Sequence, residues 1–250
     1  MRLSLSSGPH IRAKSDTRLT MLDVLIALLP TTAAGIYFFG TRAALLLAVS
    51  VASCVLFEAL WCALGHRKST VGDLSAAVTG LLLGLNLPSS APWWLPVIGA
   101  AVAILVIKQL FGGLGANFLN PALAARAALL SSWPAHMTTF LLPQRTLFVN
   151  TAAVADAATA ATPLTAKSSS YLDLFLGNIP GCIGEVCKAA LILGLLYLLV
   201  RKVIGWQIPV VMVATVALLS WALGEDPLQA VLSGGLLLGA ILMATDYVTS

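Results

Sequence analysis

Residues 21–39 read M-L-D-V-L-I-A-L-L-P-T-T-A-A-G-I-Y-F-F, and residues 43–64 read A-A-L-L-L-A-V-S-V-A-S-C-V-L-F-E-A-L-W-C-A-L. At about 1.5 Å of rise per helical residue, either run reaches across a hydrocarbon core about 30 Å thick. Each carries one acidic residue, Asp23 or Glu58, and no basic one. Lipid offers no partner to a peptide group, so such runs are stable only as internally hydrogen-bonded helices. The same reading finds apolar runs at Trp93 to Leu110, Ile183 to Val200, Trp206 to Leu223 and Leu228 to Ala244. Two further runs are short: Leu74 to Leu87, stopped by Pro88, and Pro121 to Trp133, opened by Asn-Pro and closed by Pro134. Half-length segments interrupted by Gly and Pro bring backbone polar groups into a buried site.

Composition agrees. The chain is 59% hydrophobic and 10% charged, with mean hydropathy +0.95, against roughly 45–50% and about 25% in soluble domains. An all-α integral membrane protein, a polytopic bundle with broken helices, is expected. The net charge of +4 does not point to nucleic acid, because the basic residues stand at the ends of apolar runs, beside lipid headgroups. Cys54, Cys62, Cys182 and Cys187 lack CxxC spacing and read as packing residues. Met1 to Thr20 is polar and basic and leads into the first run without an A-x-A site, so no cleavable signal peptide is expected.

Lys and Arg are retained on the cytoplasmic side. Arg2, Arg12, Lys14 and Arg18 place the N-terminus inside, and the chain returns there at His66, Arg67 and Lys68, near Lys108, and at Arg201 and Lys202. Arg42, the Ser89 to Pro92 turn, the Pro134 to Pro180 segment and the Glu225, Asp226 turn then fall outside, with Pro121 to Trp133 the weakest crossing. G-L-L-L-G occurs at Gly80 to Gly84 and again at Gly235 to Gly239, following Asp73 and Asp226. In this orientation the copies run in opposite senses, as an inverted repeat requires. The expected divisions are a cytoplasmic segment 1–20, a first membrane repeat 21–133, an extracytoplasmic segment 134–182 and a second repeat 183–250 that stops short.

Charges in apolar spans are costly, so Asp23, Glu58, Asp73, Lys108, Arg126, Glu185 and Lys188 are functional candidates. The four acids are the candidate ion path. Glu185 and Lys188, three apart, read as a pair on one helix face, and snorkelling is the alternative for Lys108 and Lys188. Residues 111–126, F-G-G-L-G-A-N-F-L-N-P-A-L-A-A-R, combine Gly112, Gly113 and Gly115 with Asn117, Asn120 and Arg126. Backbone N–H groups, amides and a helix N-terminus suit an anionic or polar ligand, though glycines also serve close helix packing. Residues 156–164 read D-A-A-T-A-A-T-P-L. Thr162, ahead of Pro163 and among alanines, is an accessible hydroxyl in an extended segment, or simply part of an Ala/Thr-rich loop.

Taken together, S-S-G-P-H at Ser6 to His10, residues 21–30, 77–88 and 108–126, A-T-P-L at Ala161 to Leu164, L-G-N-I-P-G-C-I-G-E at Leu176 to Glu185 and A-T-D-Y-V-T-S at Ala244 to Ser250 resemble one family along the whole chain. It comprises the D subunits of the Rnf complex, an ion-translocating ferredoxin:NAD oxidoreductase, and the B subunits of Na+-translocating NADH:quinone reductase. The short polar N-terminus favours the former. The resemblance implies a fold similar to urea and ammonium transporters, with two inverted five-helix halves, and a family chain that continues past A-T-D-Y-V-T-S. It also implies FMN joined by a phosphoester to Thr162, attached outside by a flavin transferase that reads D-x-x-S-G-A-T. Here Asp156 keeps the register, while Thr159 stands for the usual Ser and Ala160 for Gly. Gly112, Gly113, Gly115, Asn117, Asn120 and Arg126 would line the FMN ring or a second, non-covalent flavin such as riboflavin. Implied partners are the flavoprotein G of the same complex, its A and E membrane proteins, its C and B redox proteins, and the lipid bilayer. A transporter or channel without chromophore, and a structural scaffold, are the readings outside redox chemistry.

Overall fold

The computed structural model describes residues 17–66, 70–143 and 170–246. Helix α1 (Thr17–Leu64) is nominally 48 residues long, but Gly40 at φ 69°, ψ −157° breaks it into two arms, 17–39 and 41–64. These arms are the two runs quoted first. A short 3-10 turn, Val71–Asp73, leads into α2 (Ser75–Leu85). Then come α3 (Leu95–Ala101), prolonged by a π-helical stretch Val102–Gln109, α4 (Pro121–Ser132) and α5 (Pro134–Thr138). After the next described residue, Ser170, follow α6 (Tyr171–Leu176), α7 (Lys188–Val200) and α8 (Gln207–Ala222). The described chain closes with α9 (Pro227–Leu232) and α10 (Leu236–Leu238), which runs into a second π-helical stretch, Gly239–Met243. No strand occurs among the described residues.

The arms pack through small residues. Against arm 17–39, α7 runs antiparallel: Asp23 meets Arg201, and Gly194 lies on Ala27, whose carbonyl oxygen would be 2.5 Å from an added Cβ. Against arm 41–64, α2 runs antiparallel, with Gly80 on Val51 and Gly84 on Leu47. Ser50 donates to the Gly80 carbonyl at 2.7 Å. Such contacts let backbones approach closely where van der Waals packing, rather than water exclusion, joins helices.

Only α1 is long and apolar enough to cross a membrane by itself among the described helices. The reason lies at the centre. Helix α2 stops at Leu85 and α7 starts only at Lys188, and the extended residues between them and the surface cross each other. Pro88 bridges Cys182 in antiparallel fashion, Ile183 N–H donates to Leu87 O at 3.0 Å, and Gly184 N–H donates to Leu85 O at 2.8 Å. Amides of the segment that precedes α7 thus satisfy carbonyls at the broken end of α2. Gly184 is required there, since a Cβ would stand 2.6 Å from the Leu85 Cβ.

Two expectations change. Ile183 to Val200 is not one helix, because residues 183–187 belong to the central crossing. Just upstream, Ile179 and Cys182 are buried as well. Leu228 to Ala244 is interrupted at Ser233–Gly235, where Gly234 takes φ 62°, so the second G-L-L-L-G starts at a break while the first lies within a helix.

The turns sort into two groups. Arg42 donates to the Ser90 carbonyl at 2.8 Å, Ser90 donates to the Thr139 carbonyl, and Trp94 meets Trp133 edge to face at 5.4 Å. Gly177 approaches Phe38 near the end of the first arm, and Tyr171 donates to Asp226. Away from these, Asp23 meets Arg201, and Thr70 lies beside Glu58 and Lys108. Helix α4, only 12 residues long, therefore carries the chain back to Trp94.

Candidate functional site

Two buried polar clusters contain most of the residues singled out above. The first begins on arm 41–64. Glu58 and Lys108, on average the most expensive kinds of residue to bury, form an ion pair at 2.8 Å with side chains 0% and 1% exposed. Lys108 also donates to Ser75 Oγ at 2.6 Å, and Thr70 Oγ1 donates to Glu58. The Asp73 carboxylate accepts from the Ser75 amide at 2.8 Å and from its hydroxyl, fixing the start of α2. Lys108 is delivered by the π-helical stretch, where Leu110 N–H bonds Leu105 O, five residues back; such stretches re-aim side chains and are frequent at functional sites. A cavity of about 130 Å³ opens among Glu58, Thr70, Asp73, Lys108, Gln109 and Gly112–Leu114. Two carboxylates, one hydroxyl and one ammonium around so small a space can pass a proton or hold a small cation.

The second cluster surrounds the central crossing. Arg126, on α4, donates through Nη1 to Asn86 Oδ1 at 2.8 Å and through Nη2 to Cys182 Sγ at 3.6 Å. The Glu185 carboxylate accepts from the Cys182 amide at 2.9 Å. Lys188 does not pair with that carboxylate as its spacing suggested. Glu185 precedes the helix, whose N-cap is Cys187, so the two do not share a helix face. Lys188 Nζ instead donates to the backbone carbonyls of Glu185 and Gly234, the latter at 3.1 Å. Nearby, Asn120 caps α4 by accepting from Ala122 and Leu123 N–H, and its amide donates to Asp246 Oδ2 at 2.9 Å.

The structure therefore divides the 111–126 segment. Gly112 and Gly113 adjoin the Glu58 cavity, with φ of 116° and 97°, and their N–H groups bond the carbonyls of Gln109 and Lys108. Asn120 and Arg126 belong to the central region. Asp23 stands apart, held by the exposed Arg201 at 3.1 Å and by Tyr197 at 3.0 Å. Asp156, Thr159 and Thr162 lie outside the described residues. Sequence reasoning passed over Asn86, Ser75 and Asp246. Asn86 was visible as the lone amide in the run ending at Pro88, and Ser75 as an Asx-turn position two residues after Asp73.

The sequence profile of the NQR2, RnfD, RnfE family matches residues 4–250. The chain belongs to this family. Among NQR2, RnfD, RnfE relatives, the chain is 47% identical to the D subunit of the Na+-translocating ferredoxin:NAD+ oxidoreductase complex of Acetobacterium woodii, over 100% of this chain and 79% of that protein. It is 38% identical to the D subunit of the proton-translocating ferredoxin:NAD+ oxidoreductase complex of Clostridium ljungdahlii, over 98% and 79%. A third relative, the D subunit of the ion-translocating oxidoreductase complex of Stutzerimonas stutzeri, is 40% identical over 95% and 77%. Members of the NQR2, RnfD, RnfE family are membrane-associated, which agrees with an all-helical bundle showing many exposed apolar side chains.

Proposed function

We propose that this chain is the D subunit of an ion-translocating ferredoxin:NAD oxidoreductase of the Rnf type, a multi-pass protein of the bacterial cytoplasmic membrane that relays electrons through FMN esterified to Thr162. Similarity along 98–100% of this chain to relatives named as that subunit, covering 79% of each, carries the reading. Bound there, FMN supplies one-electron and two-electron redox chemistry. The chain's own part is placement. The Thr139 end of the 144–169 segment is tied to the Ser90 turn and the Tyr171 end to Asp226, so both flanks start from the side of the molecule holding the Arg42 turn. Basic residues orient that side outward, where a flavin transferase would act, and where the flavoprotein G would exchange electrons with it. The A and E membrane proteins and the C and B redox proteins complete the proposed assembly.

A second, non-covalent flavin finds less support. Gly112 and Gly113 N–H, both ends of the Asn120 amide and the Arg126 guanidinium are engaged within the chain, so no step is assigned to it. Ion coupling is the second part of the proposal. Glu58 and Asp73 line one cavity together with Lys108, and Glu185 sits at the crossing of the half-helices, the position where broken-helix transporters hold their ions. The inverted repeat and the urea-transporter-like halves are supported by that crossing and by the equal roles of Asp73 and Asp226, each accepting from the amide two residues on, Ser75 or Leu228.

Membrane vesicles bearing the complex with Thr162→Ala test the reading. Loss of ferredoxin-dependent NAD reduction, together with loss of flavin fluorescence from this protein on a denaturing gel, is expected. Retention of both contradicts it.

A further inference from the structure

Arg42 departs from the pattern that orients the chain: it is the basic residue of the outward-facing turn between the two arms, where the only other basic residues read as outside, Arg145 and Lys167, belong to the long 134–180 segment. Among the described residues no carboxylate pairs with it. One nitrogen, Nη2, donates to the carbonyls of Ser90 and Ala91 at 2.8 and 3.4 Å. A guanidinium has five N–H donors in a planar fork, and the Nε and Nη1 donors bond no described residue. The side chain is half-buried, so its charge is partly removed from water with no counter-charge among the described residues. Beside it opens a cavity of about 450 Å³, lined by Thr41, Arg42, Leu45, Leu46, Pro92 and Trp93 and by Ala91. Its size falls within the roughly 300–1,000 Å³ of small-molecule sites. Apart from the guanidinium and one hydroxyl the lining side chains are apolar, and Leu45 and Trp93 are 52% and 66% exposed. An exposed Trp at the end of an apolar span marks the headgroup level of a bilayer.

We propose that this cavity is a binding site for an anionic phospholipid, with the headgroup phosphate on the remaining N–H groups of the Arg42 guanidinium and an acyl chain along Leu45, Leu46, Pro92 and Trp93. Charge complementarity selects the occupant. An apolar peptide or a neighbouring helix would fill the groove but leave the guanidinium uncompensated, whereas a phosphodiester supplies anionic oxygens that accept from its remaining N–H groups. The fixed hydrogen bonds to Ser90 and Ala91 hold the fork in place, so the ligand orders no long side chain when it binds. The bound lipid would join the turn between the two arms to the Ser89–Pro92 turn, and would thereby brace the outer end of the segment leading into the half-helix crossing. The inference rests on the chain spanning a bilayer and is independent of flavin attachment.

The test uses the intact complex purified in detergent. Native mass spectrometry after addition of phosphatidylglycerol is expected to show retained lipid on this protein, and a raised thermal midpoint. Phosphatidylcholine and inorganic phosphate are expected to give neither effect. Arg42→Gln should weaken phosphatidylglycerol retention by about tenfold or more, the loss of one charge-assisted contact. Leu45→Trp, which narrows the groove and leaves the charge, should lose retention as well. Lys202→Gln, at the opposite end of the molecule, should not. Equal retention by wild type and both cavity variants, an equal response to phosphatidylcholine, a full response to inorganic phosphate alone, or no lipid on the intact complex would each overturn the proposal. Normal flavin fluorescence in the Arg42→Gln complex keeps this outcome separate from the redox reading.

Discussion

Glu58 and Lys108 occupy the place where one residue matters most. A buried pair gains little over an apolar pair of the same shape, yet removing one partner leaves a charge that neither water nor protein compensates, at a cost of about 3–5 kcal/mol. Lys108→Met should therefore destabilise the complex strongly, since Glu58 would remain opposite Asp73 in the same cavity. Glu58→Gln should do so by a similar amount, and the double variant should recover much of the loss. Thermal unfolding of the purified variants checks the cycle, and additive single effects would mean that the pair is not coupled. Glu58→Gln has a further expected effect in vesicles: reduced ion flux per electron transferred. At the surface, Asp226 is held below the ordinary carboxylate range first by the Tyr171 hydroxyl, and also by the Leu228 and Gln229 amides, against some desolvation. Tyr171 is raised, chiefly by its hydrogen bond to Asp226. A lowered carboxylate contributes stability above its ordinary pKa and loses it as pH falls through the lowered value. A raised phenol contributes below its ordinary value and loses it as pH rises through the raised one. The clasp thus holds across the neutral range. In a difference titration of wild type against Tyr171→Phe, phenolate absorbance should appear above the ordinary pKa of about 10, and Asp226→Asn should return it to that value.

Among elements, the half-helices separate what sequence could reveal from what it could not. Arms 17–39 and 41–64, α2, α4 and α8 stand close to their expected bounds, because apolar run length, Pro and Asn-Pro signals act locally. The break at Gly234 and the late start of α7 at Lys188 were not legible. Both depend on what lies opposite: Gly184 and Ile183 complete the end of α2, and Gly235 makes room for Glu185, whose Oε2 would be 2.9 Å from an added Cβ. The site followed the same division. Glu58, Asp73, Arg126 and Glu185 were conspicuous as charges in apolar surroundings, while their partners Asn86, Ser75 and the Cys182 amide are ordinary residues that only the crossing brings near. Gly184→Ala should lower stability by about 1–3 kcal/mol through overpacking against Leu85, and Gly194→Ala should act similarly against Ala27. Gly239→Ala, helical and with nothing within 4 Å of an added Cβ, should be neutral or slightly stabilising. Thermal midpoints of the three variants compare directly, and a tolerant Gly184→Ala would show that the crossing is loosely packed.

For the whole molecule, the proposed function requires two faces. Turns bearing Arg42, Ser90, Thr139, Tyr171 and Asp226 belong to one, and Asp23, Arg201, Thr70 and Lys108 to the other. A cysteine placed at Glu225 should react with a membrane-impermeant maleimide added to intact cells, and one placed at Lys202 only after the membrane is opened. The reverse pattern would invert the protein and put Thr162 on the wrong side for the flavin transferase. The electron relay proposed above requires FMN on that threonine. Intact-mass analysis of this protein from native membranes, followed by peptide mapping, decides it: one FMN less one water should be added, and the adduct should map to Thr162. An unmodified mass, or an adduct on another residue, would contradict the account.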